Sequence, residues 1–211
     1  MSLQEISTQL QAGNAKGVKE LVQQALDAGT SAEQILKDGL MSGMDIIGQK
    51  FKNNEIFVPQ VMLSARAMKQ GADLLKPYLA TDGAHSLGKA CIGTVFGDLH
   101  DIGKNLVKMM LEAKGFEVID LGTNVPAETF ITTAINENCS IICCSALLTS
   151  TMPVMGDVVK AAEAAGIRDK VKIMIGGAPV TEDFCKEIGA DCYTVDSASA
   201  AEMAVKLCQN M

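Results

Sequence analysis

Residues 140–146 read Ser-Ile-Ile-Cys-Cys-Ser-Ala, a short apolar run that leads into a loop rich in hydroxyl groups. Within it, Ile-Ile-Cys-Cys at 141–144 is apolar at odd and even positions alike, as is Ile-Met-Ile at 173–175. A strand that is apolar on both faces is typical of a parallel sheet covered by helices on each side. The sequence therefore predicts an α/β fold for this part of the chain.

Apolar runs of this kind alternate with helical stretches from residue 89 onward. Strands are predicted at 89–96, 117–121, 140–146, 171–175 and 191–194, and helices at 102–114, 127–137, 152–165, 182–188 and 198–208. Such alternation requires parallel strands joined by right-handed crossovers. It predicts a doubly wound, five-stranded parallel sheet of the flavodoxin-like, Rossmann type, in which a ligand binds beyond the carboxyl ends of the strands.

The first 80 residues have a helical periodicity instead. Four helices are predicted: at about 3–11, from a cap at Asn14 to Gly29, from a cap at Ser31 to Asn53, and from Val58, with Pro59 in the first turn, to about residue 79. The third helix is expected to bury Leu36, Leu40, Met44, Ile47 and Phe51 on one face, and the methionines at 41, 44, 62 and 68 are most simply core residues. With a small, polar linker at 80–88, the predicted organisation is a four-helix bundle in residues 1–85 and a sheet domain in residues 86–211.

Composition excludes several classes of protein. Among 211 residues, 48% are apolar and 20% charged, and the net charge of −7 provides no broad cationic surface for nucleic acid or anionic lipid. No apolar stretch approaches the roughly 20 residues of a membrane span, and the start does not resemble a signal peptide. Seven scattered cysteines without a C-x-x-C pair form neither a disulfide framework nor a zinc ribbon, so a reducing cytoplasm is expected.

The first candidate loop, Gly97-Asp-Leu-His-Asp-Ile-Gly-Lys-Asn105, follows the first predicted strand. In an extended segment Asp98 and His100 point the same way, so Asp98 can bind the ring nitrogen that His100 does not use for a ligand. A carboxylate in that position fixes the tautomer of a metal-bound imidazole and raises its basicity. Gly103 is expected to let the next helix approach closely. The simple alternative is a loop histidine held by a neighbouring aspartate.

Two further loops should lie at the same edge of the sheet. Ser145-Ala-Leu-Leu-Thr-Ser-Thr-Met-Pro153 has four hydroxyl groups in seven residues, which is more than helix capping requires. Gly176-Gly177 follows the fourth strand and indicates a backbone that a bulky group approaches, although a tight turn would also explain it.

Together these loops resemble a known signature. Asp98-x-His100-x-x-Gly103, then Ser145-x-Leu147, then Gly176-Gly177 is similar in order and spacing to the cobalamin-binding pattern D-x-H-x-x-G, S-x-L, G-G. The stretch from Phe57 to Met68 resembles the helical cap before the cobalamin domain of methionine synthase. From end to end, the chain resembles the small corrinoid proteins of anaerobic methyltransferase systems.

The resemblance implies a cobalamin or related corrinoid bound base-off, with His100 as the lower cobalt ligand in place of the cofactor's benzimidazole. Asp98 and Thr151 would form a hydrogen-bonded relay with His100. The implied cofactor-binding residues are Asp98, His100, Asp101, Ile102, Gly103, Ser145, Leu147, Thr149, Thr151, Gly176 and Gly177. Of these, Ser145, Leu147 and Thr149 would line a slot for the benzimidazole tail, and the paired glycines would leave room for it. In the helical unit, Phe57, Met62 and Leu63 would shield the upper face of the corrin.

The implied function is that of a methyl carrier whose cobalt cycles between Co(I) and methyl-Co(III). A substrate-specific methyltransferase would supply the methyl group, and a second methyltransferase would pass it to a thiol or a tetrahydrofolate-type acceptor. A reductive activating protein is the third implied partner, and neither nucleic acid nor a membrane is expected to be one. Since no second site is visible, the chain alone is not expected to catalyse a reaction.

Three alternatives remain open at this point. A cobalamin-dependent regulator would need a basic DNA-binding module, whereas residues 1–85 carry eight basic and nine acidic side chains. The small subunit of a carbon-skeleton mutase shares D-x-H-x-x-G but needs no helical cap of this type. An ordinary flavodoxin-like or receiver domain could form the same sheet, but the acidic cluster and lysine of a receiver are missing.

Overall fold

The computed structural model describes residues 2–79 and 87–209. The chain divides into two compact units, Met1–His85 and Ser86–Met211. Most of the predicted linker, residues 80–86, lies outside the described residues.

The first unit is helical, as predicted. Its helices are α1 (Leu3–Gln11), α2 (Ala15–Asp27), α3 (Ala32–Gln34), α4 (Ser42–Lys52) and α5 (Val58–Leu79), and a π-helical segment, Ile35–Met41, joins α3 to α4 into one long helix. The side chains of Ser2, Asn14 and Ser31 accept hydrogen bonds from backbone N–H groups in the first turns of α1, α2 and α3. These caps satisfy donors that a helix start leaves unpaired.

The π-helical segment changes which residues the long third helix buries. Leu36 and Phe51, both expected on the buried face, are only partly buried, and Ile35 is buried instead. A π turn bonds residue i to i+5 rather than i+4, so Ile35 and Leu40, five apart, share one face. The prediction assumed a regular 3.6-residue period and was wrong by one position at the start of this helix.

Large apolar side chains are exposed on the first unit. Met44 and Met68 are buried as expected, but the expectation that Met62 is a core residue is wrong, because it is 48% exposed. Phe57 and Leu63 are exposed as well. The face of α5 that does pack inward carries Val61, Ser64, Met68, Gly71 and Leu75.

The second unit is a doubly wound parallel sheet, which confirms the predicted fold class. Its strands are β1 (Lys89–Val95), β2 (Glu117–Val125), β3 (Ile141–Ser145), β4 (Lys172–Gly176) and β5 (Cys192–Tyr193), in the order β2-β1-β3-β4-β5. Its helices are α6 (Ile102–Ala113), α7 (Ala127–Glu137), α8 (Pro153–Ala164), α9 (Glu182–Ile188) and α10 (Ser197–Gln209). The order is that of flavodoxin-like sheets, whose ligands bind beside the first and third strands.

Two strands differ from their predicted lengths. β5 comprises only two residues, whereas β2 continues past Leu121 to Val125. Along β1 the pairs Ile92–Asp120, Gly93–Gly122 and Val95–Val125 show that β2 has an extra residue at two places. These are β-bulges, which bend a strand and re-aim its side chains.

The cysteines belong to the core of the second unit. Six are buried, Cys208 is partly buried, and all seven are free thiols. Burial raises the pKa of the Cys143 thiol to about 12. Such a thiol stays protonated and packs as a small apolar side chain.

Within the described residues, no helix combines the length and the apolar character that a membrane crossing requires.

Candidate functional site

The site lies at the carboxyl ends of three neighbouring strands, β1, β3 and β4. Thr94 at the end of β1 pairs with Ser145 of β3, and Ser145 pairs with Gly176 of β4. The loops that follow these strands therefore leave the sheet side by side, at the edge where parallel sheets bind ligands. These are the three loops that the sequence analysis singled out.

His100 is fixed at its backbone and at one ring nitrogen. The buried hydroxyl of Thr94 donates a hydrogen bond to the carbonyl oxygen of His100 at 2.7 Å. Nδ1 of the ring lies 2.7 Å from Oδ1 of Asp98. The ring is half-exposed, with 52% of the side chain accessible, and no described residue bonds to its Nε2. This nitrogen can therefore act as a ligand from the protein surface.

Asp98 connects the loop after β1 to the loop after β3. Its side chain is entirely buried, and both oxygens accept hydrogen bonds. Besides the ring of His100, the donors are the backbone N–H groups of His100 (3.1 Å), Leu147 (2.8 Å) and Leu148 (3.2 Å) and the hydroxyl of Thr151 (2.9 Å). Burial by itself would raise the pKa of the Asp98 carboxyl, but these hydrogen bonds outweigh it and hold the pKa far below its ordinary value. The buried side chain is thus a carboxylate at neutral pH.

The hydroxyl groups of the second loop have different surroundings. Thr151 is buried on Asp98, and its oxygen also lies 2.9 Å from the carbonyl oxygen of Leu148. Ser145 is partly buried at the strand end and Thr149 is exposed, and neither side chain makes a hydrogen bond to a described residue. Within the described residues, the hydroxyl of Thr151 is therefore the one in this loop that bonds to the Asp98–His100 pair, while those of Ser145 and Thr149 are available to a ligand.

The three predicted glycines fall into two groups. A Cβ atom added at Gly103 or at Gly176 would have no neighbour within 4 Å. The expectation that Gly103 allows close packing of the chain is therefore wrong, because its surroundings are open. Gly177 has φ +137°, and a Cβ there would overlap the carbonyl oxygen of Ala146. Its glycine is required by the chain's own backbone, not only by a ligand.

Exposed apolar side chains follow the ends of the strands at this edge. Phe96, Leu99, Ile102, Leu147, Leu148 and Val195 follow the ends of β1, β3 and β5 and are between 41% and 81% exposed. Asp101 is exposed beside them and accepts a hydrogen bond from the side chain of Asn105. An exposed apolar cluster of this kind marks a binding surface.

These features fit a corrinoid. Among the described residues there is no group of three or more His, Cys, Asp or Glu that could hold a bare metal ion. One free imidazole nitrogen suits a metal whose remaining ligands come from a macrocycle. The apolar surroundings and the open positions at Gly103 and Gly176 provide the uncrowded surface that a large flat cofactor needs.

Two residues whose polar side chains hold the site together were missed by the sequence analysis. Thr94 is a buried polar residue within an apolar strand, and this contrast is the signal that could have identified it. Asn124 lies in the part of β2 that was predicted as loop, and its side chain accepts a hydrogen bond from the N–H of Gly97 at 2.8 Å. No pattern in the sequence indicates the second contact.

Family models match both units. A family described as "B12 binding domain" matches residues 88–206, and a second family with the same description matches residues 2–76. Together they span both the helical and the sheet unit.

Individual relatives have corresponding names. A corrinoid protein of Desulfitobacterium hafniense (strain Y51) is 38% identical over 97% of this chain and 96% of its own length. Dimethylamine corrinoid protein 1 of Methanosarcina acetivorans is 42% identical over 82% of each chain. Among solved structures, the methanol:cobalamin methyltransferase complex MtaBC from Methanosarcina barkeri matches with a TM-score of 0.87 at 31% identity, over 99% of this chain and 80% of that one.

Proposed function

Because the chain belongs to the family of B12-binding corrinoid proteins, we propose that it is the methyl-carrying component of a methyltransferase system. When bound, the corrinoid would supply a cobalt that takes up a methyl group from one partner enzyme and yields it to another. The observation that carries the proposal is the pairing of a half-exposed His100 with the buried carboxylate of Asp98.

His100 is the lower ligand in this proposal, and the cofactor binds base-off. Asp98 accepts the Nδ1 proton, so the ring holds the tautomer whose lone pair is on Nε2. Thr94 keeps the backbone of His100 in place, and Thr151 with the N–H groups of Leu147 and Leu148 keeps Asp98 in place. The ring can then release and rebind its ligand without losing its orientation.

The tail of the cofactor is assigned to the slot at the strand ends. Ser145, Leu147 and Thr149 line it, and Gly176 leaves the space that a side chain would otherwise occupy. Gly177 contributes indirectly, because it allows Ala146 to approach and so sets the course of the neighbouring loop. The corrin would also be bordered by Asp101, Ile102 and Gly103 in this proposal.

Three partners are proposed. The first is a substrate-specific methyltransferase, since relatives are named for dimethylamine and a solved relative is a methanol:cobalamin methyltransferase complex. The second is a methyltransferase acting on a thiol or a tetrahydrofolate-type acceptor, and the third is a reductive activating protein. Residues 86–211 would bind the cofactor, and a covering role for residues 1–85 stays a prediction.

Methyl transfer with purified partners tests the proposal. The protein is loaded with a corrinoid, reduced, and incubated with candidate methyltransferases and a panel of donors comprising methanol, methylamines, betaines and aryl methyl ethers. We expect one enzyme and donor pair to methylate the protein, seen as a change in its visible spectrum, and His100→Ala to abolish turnover. Failure to retain a corrinoid, or retention with the benzimidazole still on cobalt, would contradict the proposal.

A further inference from the structure

The loop that carries Asp98 and His100 is held at its start by hydrogen bonds to three backbone groups of Gly97 and Asp98. The N–H of Gly97 bonds to Oδ1 of Asn124 at 2.8 Å, and the carbonyl oxygen of Asp98 accepts from the N–H of Asn124 at 2.9 Å. The third bond, from the N–H of Asp98 to the carbonyl oxygen of Val95, is local to the turn. Of these three bonds, Asn124 therefore supplies the two that come from another strand.

The backbone of β2 is shaped to present this residue. Between the pairs Gly93–Gly122 and Val95–Val125, β2 has one residue more than β1, which places Asn124 in a bulge. Its φ of +57° lies in the left-handed region that asparagine tolerates better than most residues. Bulges are frequent next to active sites because they redirect a side chain.

Asn124 has no other evident structural task. It is exposed, so its side chain fills no part of the core, and its amide reaches Gly97 across 27 positions of sequence. Removing the amide would leave no cavity. We therefore expect the effect of doing so to be confined to the loop that it holds.

We propose that Asn124 is a positioning residue, which fixes the backbone at Gly97 and Asp98 and thereby directs Nε2 of His100 toward its ligand. The inference deepens the proposed function and rests on it for the identity of that ligand as cobalt. Among the described residues, Asn124 bonds to the backbone of Gly97 and Asp98 and not to the ring of His100. It acts through Asp98, whose carboxylate binds both the ring and the N–H of His100.

The first test uses the protein without cofactor. Asn124→Gly is compatible with the left-handed backbone and removes the side chain that carries the acceptor. Amide hydrogen exchange at the N–H groups of His100 and Leu147, both of which bond to Asp98, should become roughly fivefold faster, as expected for the loss of one neutral hydrogen bond. Asn124→Asp retains the acceptor and should exchange within about twofold of the unmodified protein.

A matched control is available in the same unit. Asn138, at the end of α7, is also an asparagine with positive φ (54°). Asn138→Gly should leave exchange at His100 and Leu147 unchanged. Unchanged exchange in Asn124→Gly would overturn the inference, as would an equal acceleration at Ile142 in the core, because that would show a general loss of stability.

The second test uses the loaded protein labelled with ¹⁵N-histidine. In the Co(II) state, the share of the signal split by the histidine nitrogen should fall in Asn124→Gly and recover in Asn124→Asp. A full share in Asn124→Gly would overturn the inference. If even the unmodified protein shows no histidine splitting, then the proposed ligand is wrong, whereas the exchange measurement still decides whether Asn124 holds the loop.

Discussion

Asp98 Oδ1 and His100 Nδ1 lie 2.7 Å apart, and the carboxylate is fully buried while the ring is half-exposed. The ring is therefore anchored by its inner nitrogen and presents its outer one. Because the other carboxylate oxygen binds the loop after β3, a change at any of these groups should affect the direction in which Nε2 points.

Replacing His100 by alanine should remove the protein's ligand from cobalt. In protein labelled with ¹⁵N-histidine and loaded with corrinoid, the Co(II) paramagnetic resonance spectrum should show splitting by ¹⁵N. His100→Ala should lose this splitting, while His85→Ala, the same change at the other histidine of the chain, should keep it. If the splitting is the same in labelled and unlabelled protein, the cofactor's own base stays on cobalt.

Asp98→Asn should make the second unit less stable in a pH-dependent way. The folded-state pKa of Asp98 is depressed, so its carboxylate stabilises the fold fully above the unfolded-chain pKa of about 3.9. The stabilisation is lost as the pH falls from there through the lower folded-state pKa. We expect a loss of about 2 kcal/mol at neutral pH in the variant, and a difference that shrinks in acid.

Urea unfolding of the cofactor-free protein measures this effect. The chain has no tryptophan and two tyrosines, so in a Tyr78→Phe background the fluorescence of Tyr193 in β5 reports on the sheet unit alone. Asp169→Asn, at an exposed aspartate, is the control. A constant difference between Asp98→Asn and the parent across the acid range would contradict the role of the depressed pKa.

The two adjacent glycines after β4 should respond differently to substitution. Gly176→Val places its Cβ where no neighbour lies within 4 Å, so the cofactor-free protein should stay about as stable while corrinoid affinity falls by at least about tenfold. Gly177→Ala would place its Cβ on the carbonyl oxygen of Ala146 and should cost about 2 kcal/mol or more without any cofactor. Equal affinity in Gly176→Val would place the tail slot elsewhere.

Gly103→Ala should have opposite effects on stability and on binding. Gly103 is the second residue of α6 and its surroundings are open, so alanine should stabilise the cofactor-free protein by about 0.5 kcal/mol. The added methyl group points into the space assigned to the corrin, so retention of the cofactor should decrease. Improved stability with unchanged retention would show that the ring does not approach this helix.

Local sequence was sufficient for the fold and for the Asp98–His100 pair. Parallel strands follow from runs such as residues 141–144, which are apolar on both faces, and D-x-H brings the carboxylate and ring together through a spacing of two. Thr151 was placed through the family resemblance. Its contact with Asp98 spans 53 positions, and no local pattern in the sequence determines it.

What could not be predicted depends on changes of register. The π turn at Ile35–Met41 shifts the buried face of its helix by one residue, and the two bulges in β2 extend the strand and aim Asn124 at Gly97. The π turn and the bulges each insert a residue into a regular period. A periodic pattern therefore predicts the wrong buried face for the helix and a loop for the end of β2. Gly177 lies close to Ala146 only when β3 and β4 are paired, so the sequence alone does not show this contact. The sequence therefore explains Gly177 by a ligand, whereas the structure explains it by the backbone of Ala146.

The exposed apolar side chains beside His100 provide the last prediction. Leu99 is 73% exposed and Ile102 is 70% exposed, so changing either to serine removes little packing from the cofactor-free protein. Its free energy of unfolding should therefore change by less than about 0.5 kcal/mol. If the corrin covers these side chains, burial of one of them contributes about 1.5 kcal/mol or more, and Leu99→Ser or Ile102→Ser should weaken corrinoid binding roughly tenfold.

The matched control is Ile135→Ser, an exposed isoleucine in the last turn of α7. Helices of this fold run opposite to the strands, so the end of α7 lies at the amino edge of the sheet, away from the site. Equilibrium binding of the corrinoid to the three variants separates two explanations for the exposed cluster. Weaker binding in Leu99→Ser and Ile102→Ser alone assigns the cluster to the cofactor, whereas unchanged binding with loss of methyl transfer would assign it to a docking enzyme instead.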